Sequence, residues 1–408
     1  MEAALEKEGR LLHNRTFMLM LVAGIFAIMG YSTFLTTVSW YAVSEVGSAT
    51  AIALVLISAT VPRLLMMVFG GVVADKFKKT TIMFYSNLMQ GCMLLILYML
   101  IANGELTLSI LLMLATVFGM LDAFFGPAST SLIPKVVPKA KLQRANAMFQ
   151  GVDQLAFIIG PIIAGMMMEA YSVPLSFFVA MVLVFFSAIF VFPPFIKEAD
   201  VEKTTKQTPI QDFKEGVQYI RKSTYLIIGI LVLITLNFFV FGALHIAIPL
   251  LVETLGGSPI HLSFMESSLG VGMLLGTILL SVFTLRNNKA SVSVFALLST
   301  ILLFIGFSRI DSLLWLVVLI FFIGFSIVFV FVPFFTIAQE NTEGHVMGRV
   351  MSIIFLAMNG FDPLSYAIIA GLTAVGLSVQ SVLLGLGIAG LLAWLVIFTR
   401  SKAYRAMA

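Results

Sequence analysis

The chain is predicted to be an all-α membrane protein whose twelve transmembrane helices form two pseudo-repeated six-helix bundles. Three observations carry this. First, 60% of the 408 residues are hydrophobic and only 11% charged, with a mean hydropathy of +1.07, whereas soluble domains carry roughly 25% charged residues. Second, apolar runs of about twenty residues recur from Thr16 to the C-terminus, each long enough to cross a hydrocarbon core. They lack the two-residue alternation of membrane strands, and in lipid only helices or closed barrels satisfy the backbone. Third, six such runs precede the longest polar segment and six follow it.

In chain order the runs fall at about 16–43, 50–74, 80–102, 106–132, 146–168, 172–195, 225–252, 263–285, 290–308, 312–339, 348–373 and 376–399. The first is too long for a signal-peptide core and no small-residue cleavage site follows it, so the mixed-charge N-terminal segment is expected to be retained. Short basic turns separate the others. With the N-terminus placed in the cytoplasm, 22 of the 24 Lys and Arg residues lie on the inner side, Arg309 lies outside and Arg63 lies within the membrane. Missing one helix would move every later loop to the other side, so this asymmetry supports the count and places both termini in the cytoplasm of a cell (inner or plasma) membrane. The basic residues are dispersed among these turns, which explains the net charge of +4 without nucleic acid.

Three parts are expected: an N-terminal bundle over 1–196, a cytoplasmic connector over 197–224 and a C-terminal bundle over 225–408. Within the connector, Ile210, Phe213, Val217 and Ile220 follow Pro209 on one helical face, which predicts an amphipathic surface helix. Echoes between the halves support duplication. Pro127 and Arg144 straddle the loop after span four as Pro333 and Arg349 straddle the loop after span ten, and the turn Asp75–Lys79 has a counterpart in Leu285–Lys289.

Charges at membrane depth cost several kcal/mol on insertion scales and usually face a partner or a pathway. Arg63 lies twelve residues before Asp75 and Asp122 twelve before Pro134. Both spans run inward, so each side chain sits about 18 Å above the inner surface. This matched depth predicts an Arg63–Asp122 ion pair, either a permanent brace or a pair in which Asp122 exchanges a proton. Small and polar residues around Asp122, among them Thr116, Gly119, Gly126 and Ser129, allow close helix contact or a cavity. Two further acids are candidates for proton coupling. Asp153 shares a face with Gln150, Gln154 and Phe157, with a surface interaction with Arg144 as the alternative. Asp362 lies with Asn359 and Tyr366, with simple helix packing beside Pro363 as the alternative. In span seven Asn237, Phe241 and His245 recur every four residues and are candidates, together with Asn359 and Tyr366, for lining a substrate cavity; a lone histidine more often packs or caps. The 37 Phe and 23 Met residues are explained mostly by contact with lipid.

The turn after span two resembles the signature of the major facilitator superfamily, Gly-x-x-x-Asp-Arg/Lys-x-Gly-Arg-Arg/Lys. This chain has Gly71, Asp75, Lys76 and Lys79, with Lys78 in place of the second Gly and Thr80 in place of the last base. DAFFGPAS at 122–129, VPKAKLQRANAM at 137–148 and GGSPIHLSF at 256–264 resemble the macrolide-efflux and siderophore-exporter branch, and GPIIAG at 160–165 is similar to the antiporter motif of span five, with Ala156 where a Gly is usual. The resemblance implies the major facilitator fold and a drug:proton antiporter acting as a monomer. Such a protein exports amphipathic, macrolide-like small molecules by alternating access. The turn at Gly71, Asp75, Lys76 and Lys79 would be its cytoplasmic gate, although three lysines would also simply hold a loop inside.

No nucleotide-binding loop, zinc motif or nucleophile elbow is present, so neither an enzyme nor a cofactor is expected. The single Cys92 allows neither an internal disulfide nor a cysteine metal cluster. Two other readings stay open: uptake or facilitated diffusion of a polar metabolite, and a receptor or scaffold that does not transport.

Overall fold

A computed structural model describes residues 11–138, 141–196, 198, 209–283, 288–343 and 346–405. Twelve described helices are long and apolar enough to cross a membrane. Spans one to six are built on Arg15–Ser44, Ala49–Lys76, Lys79–Ala102, Leu108–Val136, Leu142–Ala170 and Val173–Phe190. Span seven covers Thr224–Thr254, and spans eight to ten cover Pro259–Val282, Lys289–Phe307 and Leu313–Asn341. Met347–Ala374 and Val379–Arg400 form spans eleven and twelve. All twelve overlap the runs expected from hydropathy, with ends shifted by up to several residues where caps and turns decide them. Thr107 and Ser172, for instance, accept the first-turn N–H groups of Ile110 and Leu175 and set the starts of spans four and six.

Two spans depart from a continuous α-helix. Span seven widens into a π-helical turn at Asn237–Phe241, where the N–H of Gly242 reaches back to the carbonyl of Asn237. Span eleven is made of two helices, Met347–Asn359 and Asp362–Ala374. Pro363, just past the break, has no N–H and would crowd the carbonyl of Asn359 in a continuous helix.

The chain forms two compact units, Met1–Tyr41 with Ser58–Thr205 and Ala42–Ile57 with Lys206–Ala408. Each is held by helix contacts too close for side chains. In the first, a Cβ on Gly119 of span four would lie 2.0 Å from the carbonyl oxygen of Ala59 in span two. In the second, a Cβ on Gly324 of span ten would lie 2.2 Å from the carbonyl oxygen of Leu269 in span eight. Corresponding spans thus touch through corresponding glycines, a structural echo that the proline and arginine spacings did not contain. Hydroxyls repeat the pattern: Ser86 donates to the carbonyl of Leu121, and Ser293 to that of Val330. Small residues are what let membrane helices approach when water supplies no driving force between them.

The connector contains the helix Pro209–Lys222. It packs on the second unit, where Gly216 faces Ile353 and the stem of Arg349 and Glu215 pairs with Arg349. Of the face predicted to be apolar, Ile220 is buried, Val217 half-buried and Phe213 exposed, while the side chain of Ile210 lies outside the described part.

Gly119→Ala and Gly324→Ala are each expected to destabilise the protein by about 1–3 kcal/mol through overpacking. Gly126→Ala, where nothing lies within 4 Å of the added carbon, is expected to be neutral. Thermal unfolding of the three purified variants in detergent checks this.

Candidate functional site

In the first unit the polar centre is built by spans one, two and four. Arg63 Nε stands 2.7 Å from Asp122 Oδ2, with the two side chains 36% and 17% exposed. Nε itself makes no aligned hydrogen bond, and the two side chains form an ion pair. Above it lies Tyr31, whose ring centroid is 5.2 Å from the Arg63 guanidinium carbon, within cation–π range. Tyr31 stacks on Phe118 at 6.0 Å and meets the edge of Phe157 at 6.4 Å. The guanidinium is therefore held from two sides, by a carboxylate and by an aromatic face.

Tyr31 had no place among the sequence candidates. An aromatic residue in an apolar run has no charge to mark it, and its one signal was the polar stripe of Ser32, Thr33, Thr36 and Thr37 beside it. That stripe is buried and ties span one to spans five and six, through Thr33 Oγ1 to the carbonyl of Gly160 and through the Thr37 and Ser176 hydroxyls. Asp153 is half-buried on the continuous helix of span five, with Phe157 one turn further on.

In the second unit the two irregular helices meet. Asp362 opens the second helix of span eleven and is 5% exposed. Its Oδ1 would lie 3.0 Å from a Cβ on Gly242, the residue that closes the π-helical turn, and this oxygen is buried without a hydrogen-bond partner. A carboxylate at a helix N-terminus is favoured by the exposed amides, yet an orphan buried oxygen needs an explanation. A proton, or a ligand that donates to it, would supply one. π-turns inside α-helices are frequently found at functional sites.

The π-turn also splits the face expected on span seven, because the extra residue rotates the remainder of the helix. Asn237 is 3% exposed and its amide donates to Leu233 of its own helix at 2.9 Å. Phe241 and His245 stay together, ring centroids 4.8 Å apart, and His245 Nδ1 lies 3.1 Å from the Tyr366 hydroxyl. His245 is exposed and Tyr366 buried, so the pair joins spans seven and eleven at the edge of the packed region. Asn359 ends the first helix of span eleven and donates to the carbonyl of Phe355.

At the end of span two, the side chains of 68–76, which include Gly71, Asp75 and Lys76, lie outside the described part. Lys79 is described and is 2% exposed. A residue not singled out in the sequence meets it: Glu198, just after span six. Its carboxylate accepts the backbone N–H groups of Lys79 at 2.9 Å and Thr80 at 3.0 Å, and the Thr80 hydroxyl at 2.9 Å. The Lys79 ammonium stands 3.9 Å away. Glu198 is thus the cap of span three, whose own N-cap residue, Lys78, has no capping side chain. Nothing in its spacing separates Glu198 from the other acids of the connector.

The Major Facilitator Superfamily model matches residues 20–362, a continuous stretch covering most of the chain. The chain belongs to the Major Facilitator Superfamily. It is 25% identical over 404 residues to the uncharacterized MFS-type transporter YvqJ of Bacillus subtilis (strain 168), covering 96% of this chain and 94% of the relative. It is 24% identical over 329 residues to macrolide efflux protein A of Streptococcus pyogenes, covering 77% and 78%. Among solved structures, the nucleoside transporter NupG superposes with a TM-score of 0.71 at 14% identity, over 95% of this chain and 99% of that one. The POT family transporter PepTSo gives 0.74 at 12% identity, over 96% and 98%. The protein is therefore a multi-pass membrane transporter of the superfamily, not an enzyme, and its substrate is a small molecule.

Two measurements test the charge geometry. Arg63→Ala or Asp122→Asn leaves one partner unpaired at membrane depth, a cost of about 3 kcal/mol on insertion scales, and each is expected to lower the yield of monodisperse protein. The charge-swapped double variant is expected to recover it. Glu198→Gln keeps an acceptor at the start of span three but loses the charge. It is expected to cost about 1 kcal/mol in thermal unfolding, and Glu198→Ala more.

Proposed function

We propose that this superfamily member exports amphipathic small molecules by alternating access, in exchange for protons. The observation that carries the reading is Asp362. It is a buried carboxyl with an unpartnered oxygen, placed at a break in span eleven against the π-turn of span seven. Proton exchange there changes the group from acceptor to donor at the point where two helices are least regular, and so alters how they pack. A coupling carboxyl requires such a link between charge and helix position. The matches to efflux proteins support the outward direction, by analogy.

In this reading the bundles of 1–196 and 225–408 rock about a midplane site. Asp122 and Asp153 are the coupling candidates of the first bundle and Asp362 that of the second. Asn237, Phe241, His245, Asn359 and Tyr366 contribute to the substrate cavity. Gly71, Asp75, Lys76 and Lys79 form the cytoplasmic gate, with Glu198 as its counterpart, since a cap on span three that includes a buried lysine must open if that end moves. Both termini are cytoplasmic in the cell membrane, and the working unit is a monomer.

The test is a screen of amphipathic compounds in proteoliposomes, with and without an imposed proton gradient. Flux is expected to follow the gradient, and Asp362→Asn to abolish that dependence by at least about tenfold while ligand binding survives. Flux that ignores the gradient and persists when Asp122, Asp153 and Asp362 are neutralised one at a time would replace antiport with facilitated diffusion. Binding without flux would leave a receptor or scaffold.

A further inference from the structure

Away from the ends of the twelve spans the charged residues are Arg63, Asp122, Asp153, Glu266 and Asp362. Arg63 is the one base among them, and Asp122 and Tyr31 answer it. The charge at membrane depth is therefore in surplus on the acid side. Glu266, on span eight, is one of these acids and stands apart from the coupling candidates. It lies seven residues past Pro259, where the helix starts, and so about 10 Å from that end.

The burial of span eight shows where this carboxylate points. At about 100° per residue the helix has three faces. One is pressed on span ten: Ser268 donates to the carbonyl of Val317 at 2.9 Å, and Gly272 and Gly276 lie against the carbonyls of Phe321 and Phe325. The second carries Phe264, Leu275, Ile278 and Val282, all exposed and apolar, and belongs to lipid. Ser263, Glu266, Gly270, Met273 and Thr277 follow one another at spacings of three and four and form the third, roughly 130° from each of the others. Along it Glu266 and Met273 are half-buried and Thr277 is exposed. A carboxylate at this depth is costly in hydrocarbon and is tolerated toward the bundle interior or a wet cavity. The third face is thus the one that turns to the pathway. The helix Gly242–Thr254 of span seven also packs on span eight. Its exposed His245 lies nine residues before Thr254, at nearly the depth of Glu266, so the acid shares its level with the cavity candidates.

A charged group on a transported compound leaves water as it passes this level and needs a counter-charge there. Glu266 offers one to a cation and repels an anion, and the acid surplus at depth adds to both effects. We propose that Glu266 selects the charge of the cargo: its carboxylate recognises a cationic group, so the transported compounds are amphipathic cations, amines or quaternary ions. The proposal rests on reading these spans as a transport pathway, and on neither the direction of transport nor proton exchange.

The test measures binding by the full-length protein in detergent, by equilibrium dialysis against protein-free micelles. The probes are tetraphenylphosphonium and tetraphenylborate, a cation and an anion of the same shape. The unaltered protein is expected to bind the cation at least about tenfold more tightly. Glu266→Gln is expected to lower cation binding about tenfold, the value of one contact to a charged group, and to leave the anion no weaker. Glu266→Asp keeps the charge and is expected to retain most of the cation affinity. A second measurement needs no variant. Dicyclohexylcarbodiimide, an apolar carboxyl reagent, is expected to label Glu266, as read by peptide mass spectrometry, and tetraphenylphosphonium but not tetraphenylborate is expected to protect it. No preference for the cation, an equal loss of both probes in Glu266→Gln, or labelling that the cation leaves unchanged would overturn the assignment. Because binding is read without a gradient, flux that ignores protons would end the antiport reading and leave this one standing.

Discussion

A guanidinium at membrane depth must be answered by the protein, because hydrocarbon offers it nothing. Arg63 is answered twice, by the Asp122 carboxylate at 2.7 Å and by the face of Tyr31, and this triple contact organises the first unit. It requires spans two and four to lie side by side, which the absence of a side chain at Gly119 permits. It also requires span one to present Tyr31 at the same level, while the buried hydroxyls next to it fasten that span to its neighbours. The pair is partly exposed, so a strong net contribution to stability is not its main consequence. What it fixes is which helices touch and in what register.

The second unit keeps the glycine contact of its first-unit counterpart, with Gly324 on Leu269, but carries its polar centre elsewhere. There the irregularity is in the backbone. A π-turn in span seven and a break in span eleven adjoin each other, and both liberate backbone groups that a regular helix would consume. Asp362 lies where these meet, at the amide end of one helix and against the glycine that closes the other. One half of the chain thus holds its charge in a brace between continuous helices, and the other holds it at a discontinuity. A duplicated architecture has acquired two different polar centres.

At the membrane surface, ion pairs tie loops to helix ends. Glu198 caps span three in the first unit, and Lys289 pairs with Glu340 across the starts and ends of spans nine and ten in the second. The connector helix is fastened to span eleven through Glu215 and Arg349. Because span eleven is divided, that fastening acts on its first helix, which ends at Asn359, just before Asp362. The connector helix Pro209–Lys222 is therefore a structural part of the second unit.

The amino-acid sequence by itself determined that the chain is a bundle of twelve helical crossings, approximately where each begins, that a helix occupies the connector, and that Arg63 and Asp122 share a depth. These come from composition, run length and rise per residue, which are local quantities. Tertiary structure decided the rest. That Tyr31 covers Arg63, that Glu198 rather than any other connector acid caps span three, and that Gly119 and Gly324 are contact points depend on which helix faces which, and helical spacing gives a face but not its neighbour. The face of Asn237, Phe241 and His245 was legible only as far as the helix stays regular, since one extra residue in the π-turn rotates Asn237 away from the other two. The run at 348–373 reads as one span in the sequence, and its division between Asn359 and Asp362 belongs to the structure. That Asp362 would be left at that break with an oxygen unanswered, against Gly242, required the packing of two helices more than a hundred residues apart in the chain, a contact no local pattern encodes.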